Sequence, residues 1–178
     1  MKIIKLIDKL YENNNLDYDE IVFILNNIEE AGKDYLIQKA HETRMKTYGN
    51  KVFFRGLIEF TNHCIKGCKY CGINSKNSNI SRYRLELEDI LLCCEMGYNL
   101  GYKTFVLQGG EDNYYTDYKV IEIIKAIKSR YPNVAITLSI GEKSYKSYEM
   151  YFNAGADRYL LRHETANREL FQRIHTNT

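Results

Sequence analysis

Three cysteines stand close together in the stretch FTNHCIKGCKYCG, residues 60–72. Cys64, Cys68 and Cys71 follow the spacing Cys-x3-Cys-x2-Cys, one ligand short of the usual four-cysteine metal site. A [4Fe-4S] cluster has four irons, each normally held by one thiolate, so three cysteines leave one iron open. An open position is typical of catalytic rather than structural metal sites. The motif therefore predicts a catalytic iron–sulfur cluster whose last iron takes a small ligand.

Two other metal sites fit the motif less well. A zinc site would need His63 as a ligand beside Cys64, and adjacent side chains rarely reach one tetrahedral ion. No second ligand pair with zinc spacing follows, and the fourth cysteine of a ferredoxin-type run is absent. Cys93 and Cys94 lie in an apolar helical pattern, and we interpret both as core residues.

Length and composition describe an ordinary globular chain. It has 178 residues, 44% of them hydrophobic and 27% charged, and a formal net charge of +2. So small a charge gives no support for a nucleic-acid or membrane partner. No apolar stretch is long enough to span a bilayer, and residues 1–14 lack the pattern of a signal peptide. We therefore expect a cytoplasmic protein, in a compartment where thiols stay reduced.

The elements that must position the cysteines follow a regular order. Residues 1–50 are predicted as a helical preface, with a capping box formed by Asp17 and Glu20. The apolar face of the helix that follows this box is predicted to consist of Ile21, Ile24, Leu25 and Ile28. A further helix is expected from about residue 33 to residue 48.

From residue 51 onwards, strands and helices alternate. Strands are predicted at KVFFRGLIEF, KTFVLQ, NVAITLSI and DRYLLRHE, each with a helix after it. In the second of these helices, DYKVIEIIKAIKSR, one apolar face is predicted to consist of Val120, Ile123, Ile124 and Ile127. This order implies a parallel α/β sheet with right-handed crossovers. A (β/α)8 barrel needs about 250 residues, so residues 51–178 are predicted to form the first half of a TIM-type barrel. A complete four-stranded domain is the alternative, but its sheet edges would stay exposed.

The later strands end in residues that suit ligand binding, as strand ends do in such barrels. Gly109 and Gly110 would let the backbone approach a ligand, and the Glu111 carboxylate could accept hydrogen bonds from an ammonium group. Thr137 and Ser139 share one face of the third strand.

Strand alternation also divides the residues at the end of the fourth strand. It places Arg162 and Glu164 on the inner face, and Leu161 and His163 on the other. Arg162 would bind an anion and Glu164 a ribose or an amine. The alternative for Arg162 and Glu164 is a structural ion pair between them. We interpret His163 as a structural residue.

The cysteine spacing, directly after a first strand and with Tyr70 before the third cysteine, resembles the radical S-adenosylmethionine (SAM) superfamily. In that superfamily the amine and carboxylate of SAM complete the open iron, and one electron then cleaves a carbon–sulfur bond to give a 5′-deoxyadenosyl radical. Gly109, Gly110 and Glu111 match the superfamily's GGE motif, which holds the SAM amine.

Longer strings resemble a single branch of the superfamily. RYR, FVLQGGED, TLSIGE and GADRYLLRHETAN are similar to the HydE family of [FeFe]-hydrogenase maturases, in the biotin synthase-like branch. The resemblance implies assembly of the hydrogenase H-cluster together with HydG, HydF and an electron donor. It also implies an iron–carbonyl–cyanide precursor bearing cysteine as the substrate.

The resemblance assigns roles by position. The cluster would be held by Cys64, Cys68 and Cys71. The residues that would line SAM are Tyr70, Gly109, Gly110, Glu111, Ser139 and Glu164. The substrate cavity would include Thr137 and Arg162.

Length is the main departure from this family. HydE proteins are about twice as long, as a complete barrel requires. We therefore expect an N-terminal fragment with little or no turnover alone, because half a barrel would leave the cluster open to solvent. The alternatives are an inactive fragment, or another biotin synthase-like enzyme that inserts sulfur or acts as a methylornithine synthase-like mutase. The string RHETA argues against the latter.

Overall fold

The structure, a computed structural model, describes residues 2–175. The chain divides into two compact units, the first ending at Phe53 and the second beginning at Phe54. The predicted order of elements is found in both units, with small differences in where each element begins and ends.

The first unit contains three helices. They are α1 (Lys2–Asn13), α2 (Tyr18–Asn27) and α3 (Glu30–Tyr48). The predicted capping box is present: the Asp17 carboxylate accepts from the Glu20 amide at 2.8 Å, and the Glu20 side chain accepts from the Asp17 amide at 3.1 Å. Its small core consists of Leu6, Leu16 and Ile24, with Leu10, Phe23 and Ile28 packed against them.

The predicted apolar face of α2 is wrong for two of its four residues. Ile24 is buried, but Ile21 is 45% and Leu25 is 72% exposed. Phe23 packs against the core in their place. The buried stripe of this ten-residue helix is therefore rotated from the one that periodicity predicted.

The second unit alternates strands and helices. In chain order they are β1 (Gly56–Thr61), α4 (Leu87–Asn99), β2 (Thr104–Gly109), α5 (Asp117–Arg130), β3 (Ala135–Ser139), α6 (Tyr145–Ala154), β4 (Arg158–Tyr159) and α7 (Arg168–Ile174). The strands form one parallel sheet in the order β1-β2-β3-β4. The second unit is therefore a half barrel of four βα units.

The two faces of this sheet differ in chemistry. One face packs on the helices through Ile58, Phe60, Phe105, Leu107, Ile136 and Leu138. The predicted apolar stripe of α5 lies against this core, and all four of its residues are buried: Val120, Ile123, Ile124 and Ile127. On the opposite face Glu59 pairs in register with Gln108, and Gln108 with Ser139. This polar face is the one available to a ligand.

The fourth strand is shorter than predicted. β4 contains two residues, and the Leu160 amide makes one further bond, to the Leu138 carbonyl at 2.8 Å. Within residues 2–175, β3 is the only strand that pairs with β4, so nothing holds the following residues extended. Glu164 accordingly has a φ of 59°, outside the β region. The predicted extended strand therefore does not continue to Glu164.

The two adjacent cysteines of α4 have different environments. Cys94 is fully buried in the core, as predicted, whereas Cys93 is exposed and the prediction for it is wrong. Neighbouring helical residues point about 100° apart, so a core on one side of α4 buries only one of them.

Candidate functional site

A cavity of about 410 Å³ lies at the carboxyl ends of the strands. Nine of the predicted cofactor residues line it: Cys64, Cys68, Tyr70, Cys71, Gly109, Gly110, Glu111, Ser139 and Glu164. Arg162, predicted for the substrate, lines it as well. The parallel sheet brings these residues together because all its strands end on one edge.

Thr137 is the one predicted site residue that is not among those lining this cavity. It lies two positions before Ser139 on β3, is 8% exposed, and pairs in register with Arg158. The alternation of β3 is as predicted, but the cavity reaches only the last residue of the strand on this face. Leu161, predicted to face away, does line the cavity because β4 ends before it.

The three cysteines are free thiols, partly exposed towards the cavity. Burial raises the pKa of the Cys68 thiol; the Tyr70 hydroxyl opposes this rise, while the nearby sulfurs of Cys64 and Cys71 add to it. The sulfurs are thus near enough to repel one another as thiolates, a repulsion that bound iron would offset.

No group of three or more His, Cys, Asp or Glu side chains within residues 2–175 is arranged to hold a single metal ion. A [4Fe-4S] cluster does not need such convergence, because each thiolate binds a different iron. The donor set of three thiols around one cavity fits a cluster of this kind.

The Gly-Gly-Glu turn is joined to the cysteine segment. The Glu111 amide donates to the Cys64 sulfur at 3.4 Å, and the Glu111 carbonyl accepts from the Ile65 amide at 2.9 Å. At Gly110 an added Cβ would lie 2.2 Å from the His63 carbonyl oxygen and 2.6 Å from the Cys64 Cβ. The turn is therefore built around the first cysteine, and only glycine fits there.

The Glu111 carboxyl is partly buried beside the cavity. Burial raises the pKa of this carboxyl. Lys66 and Lys143 partly oppose the rise, and Glu142 adds to it. Lys66 Nζ lies 3.9 Å from a Glu111 carboxylate oxygen. Gly141, with a φ of 79°, packs directly against Glu111, since a Cβ there would lie 2.1 Å from Glu111 Cγ. No local pattern in the sequence predicted this contact between Gly141 and Glu111.

A row of polar side chains crosses the cavity. Gln108 Nε2 donates to Glu59 Oε1 at 3.2 Å, and Arg162 Nη2 donates to Gln108 Oε1 at 3.0 Å. The sequence pattern predicted Arg162 as a site residue but not Glu59 or Gln108. Both could have been predicted, because each is a polar residue inside an apolar strand, on the face opposite the core.

An aromatic group closes one side of the cavity. The Tyr70 hydroxyl and His175 Nε2 are 2.8 Å apart, and the His175 ring stacks on Phe171 at 3.9 Å. The Lys69 amide also donates to the Ile174 carbonyl at 2.9 Å. These contacts join the cysteine segment to α7. No local pattern predicted them, because 105 residues separate Tyr70 from His175.

A buried ion pair supports the base of the site. Arg84 donates to both carboxylate oxygens of Asp112, at 2.7 and 2.9 Å, and the Thr61 hydroxyl donates to the same carboxylate at 2.9 Å. Burial alone would raise the pKa of Asp112, but hydrogen bonds from Arg84, the Tyr114 amide and Thr61 outweigh it and lower the pKa from 3.8 to about 2. The pair ties the end of β1 to the residue after Glu111.

This pair predicts a pH dependence of stability. A depressed pKa in the folded state stabilises the fold above about pH 4, and this contribution is lost as the pH falls from 3.8 towards about 2. We expect Asp112→Asn to lower the melting temperature of the metal-free chain at neutral pH and to flatten its decrease between about pH 4 and pH 2. Thermal unfolding followed by circular dichroism measures both effects. Asp34→Asn, at an exposed position of α3, is the control; an unchanged pH profile in Asp112→Asn would contradict the assignment.

The family model for the radical SAM superfamily matches residues 58–178. The chain belongs to the radical SAM superfamily. This superfamily uses a [4Fe-4S] cluster and SAM, and this radical SAM chain has cysteines at positions 64, 68 and 71. Within residues 2–175 no helix is long and apolar enough to cross a membrane.

Two curated relatives of this radical SAM chain are informative. It is 46% identical over 143 residues to "[FeFe] hydrogenase maturase subunit HydE" of Thermotoga maritima, which covers 80% of this chain and 40% of that protein. It is 28% identical over 169 residues to the 3-methylornithine synthase of Methanosarcina acetivorans, covering 94% of this chain and 48% of that protein. The chain thus spans less than half the length of either relative.

Two solved structures share the fold. The crystal structure of methylornithine synthase (PylB) superposes with a TM-score of 0.84 at 27% identity, over 97% of this chain and 51% of that one. HydG, a maturase of the [FeFe]-hydrogenase, superposes with a TM-score of 0.90 at 21% identity, over 99% of this chain and 40% of that one. The likeness to HydG concerns the fold alone.

Proposed function

We propose that Cys64, Cys68 and Cys71 hold a [4Fe-4S] cluster whose fourth iron is completed by SAM. The observation that carries the proposal is the direct bond from the Glu111 amide to the Cys64 sulfur, 3.4 Å long. It fixes the backbone of Glu111, whose carboxylate would bind the SAM amine, next to the first cluster ligand. When bound, the cluster and SAM supply reductive cleavage of a carbon–sulfur bond, which yields a 5′-deoxyadenosyl radical.

The cavity supports specific roles for this chain's residues. Glu111 would accept hydrogen bonds from the SAM amine, and Gly109 and Gly110 would let the backbone approach it closely. Tyr70 and Ser139 would line SAM, and the Glu164 carboxylate would accept hydrogen bonds from its ribose or amine groups. All of these residues line the cavity.

We propose that the protein acts in [FeFe]-hydrogenase H-cluster assembly; its 46% identical relative is named an [FeFe] hydrogenase maturase subunit. The substrate would be an iron–carbonyl–cyanide precursor bearing cysteine, and HydG, HydF and an electron donor would be partners. Arg162 suits an anionic group of that substrate, with Gln108 orienting it through the 3.0 Å bond. The position of Thr137, beneath the cavity, gives no support to a substrate contact for it.

The proposed organisation has two parts. Residues 1–50 would serve as a helical preface and residues 51–178 as the first half of a radical SAM core. A thiolate-held cluster is best suited to the reducing cytoplasm.

Anaerobic reconstitution tests the cluster proposal. The chain should bind about four irons and four sulfides, and SAM should change the electron paramagnetic resonance signal of the reduced cluster. Binding rather than turnover is the measurement, because it needs only the residues described above. Zinc without iron, or a cluster signal indifferent to SAM, would contradict the proposal.

A pair of chimeras tests the substrate. In one, this chain replaces the matching part of Thermotoga maritima HydE; in the other, it replaces the matching part of Methanosarcina acetivorans 3-methylornithine synthase. We expect the first chimera to support hydrogenase maturation in an assay lacking HydE, and the second to make no 3-methylornithine. The second candidate function is supported by the 28% identity over 169 residues, 94% of this chain, to that 3-methylornithine synthase. The opposite pair of results would select it.

Glu111→Gln tests the proposed SAM amine contact. The change preserves size and removes the charge, so we expect the dissociation constant for SAM to rise about tenfold or more, while iron content stays unchanged. Isothermal titration of the reconstituted chain with SAM measures the effect. Glu149→Gln, on the exposed side of α6, is the matched control. Unchanged SAM affinity in Glu111→Gln would exclude the contact.

A further inference from the structure

The Arg82 side chain donates hydrogen bonds to backbone carbonyls, and the proposed chemistry gives this side chain no role. Its guanidinium donates to four carbonyl oxygens. Nη1 bonds those of Asn62 and Ile73, the latter at 2.7 Å, and Nη2 bonds those of Asn74 at 2.7 Å and Asn77 at 3.1 Å. These carbonyls lie on both sides of the cysteine motif in the chain, so one side chain joins the residue before the cysteines to the residues after them.

The cysteine loop, residues 62–83, closes at the position of Arg82. The Asn62 side-chain amide donates to the Ser81 carbonyl at 2.7 Å, and the Tyr83 amide donates to Asn62 Oδ1 at 2.7 Å. Inside the loop the Cys71 amide donates to the Cys68 carbonyl at 3.2 Å, and the Ser75 amide donates to the Lys66 carbonyl at 2.8 Å. Closing so long a loop costs conformational entropy, which contacts across it must offset.

The charge of Arg82 is directed at carbonyl dipoles. Among residues 2–175, no carboxylate forms an ion pair with Arg82, whereas Arg84, two positions on, pairs with Asp112. A planar guanidinium offers five donors in a fixed fork, and four of its bonds here reach different peptide groups. Lysine has the same charge but cannot reproduce that geometry.

We propose that Arg82 is a positioning residue that holds the cysteine loop in its cluster-binding conformation before the cluster arrives. The inference rests on the proposed cluster site, since it concerns how the chain prepares Cys64, Cys68 and Cys71 for iron. Arg82 acts through the backbone on either side of the cysteines. Its contribution is therefore to loop order rather than to SAM or substrate binding.

Hydrogen exchange of the metal-free chain tests the clamp without any cluster. In Arg82→Lys and Arg82→Gln we expect amide exchange in residues 64–77 to become about tenfold faster, with α5 unchanged. After anaerobic reconstitution, both variants should lose iron to a chelator about tenfold faster than the wild type. Arg130→Lys, at the exposed C-terminal end of α5, is the matched control and should match the wild type in both measurements.

The outcomes separate this inference from the proposed function. Wild-type levels of exchange and iron retention in both Arg82 variants, in a wild type that takes up its cluster, would overturn the clamp alone. Lysine behaving like the wild type while glutamine fails would overturn it too, since charge rather than geometry would then matter. Faster exchange throughout α5 would show a general structural role and also refute it. A wild-type chain that takes up no iron would instead refute the proposed function.

Discussion

Cys68→Ala is expected to reduce the iron retained after anaerobic reconstitution from about four per chain to below about one. Removing one of three thiolates leaves two irons of the proposed cluster without a protein ligand. Cys68 is the middle cysteine of the motif and lines the cavity together with Cys64 and Cys71. Iron and sulfide analysis after desalting, with the visible absorption of the cluster, measures the loss.

Cys93→Ala is the matched control for that change. Cys93 is exposed on α4, whereas Cys94 is buried and its replacement would leave a small cavity in the core. The Cys93 variant should bind as much iron as the wild type. Full cluster content in Cys68→Ala, or equal losses in both variants, would show that the cluster lies elsewhere.

Gly110→Ala is expected to disrupt the site by steric pressure alone. The new Cβ would lie 2.2 Å from the His63 carbonyl oxygen and 2.6 Å from the Cys64 Cβ, so backbone at the first cysteine must move. Overpacking of this kind costs about 1–3 kcal/mol. We expect a melting temperature lower by about 2–12 °C and a SAM dissociation constant at least about tenfold higher.

Gly72→Ala makes the same chemical change within the cysteine loop where there is room. A Cβ at Gly72 meets no atom within 4 Å. Because Gly72 also lines the cavity, the melting temperature is the matched measurement, and this variant should keep the wild-type value. If Gly110→Ala kept it as well, the close packing of the Gly-Gly-Glu turn on Cys64 would be wrong.

Local patterns predicted most of the elements correctly. The four apolar residues of α5 are all buried, because a 3.6-residue period places them on one side whatever the partner is. The Asp17–Glu20 capping box formed as predicted, since its bonds connect residues only three apart. Such features depend on few residues and little on tertiary context.

Predictions that depended on a neighbour were less successful. Ile21 and Leu25 are apolar and correctly spaced, yet exposed, because the core of the first unit meets α2 from another side. The fourth strand ends after Tyr159 because among the described residues β3 alone pairs with it. Leu161 therefore lines the cavity, contrary to the alternation that a longer strand would impose.

Residue types and their spacing specify the chemistry available to this protein: three thiols, a Gly-Gly-Glu turn after the next strand, and a parallel βα order that brings strand ends together. Which groups meet across the loop and the cavity is set by the folded structure. Arg82 bonds carbonyls on both sides of the cysteines. Gln108 between Glu59 and Arg162, and Tyr70 against His175, join residues far apart in the chain. Such contacts depend on how packed elements approach one another, which no local pattern specifies.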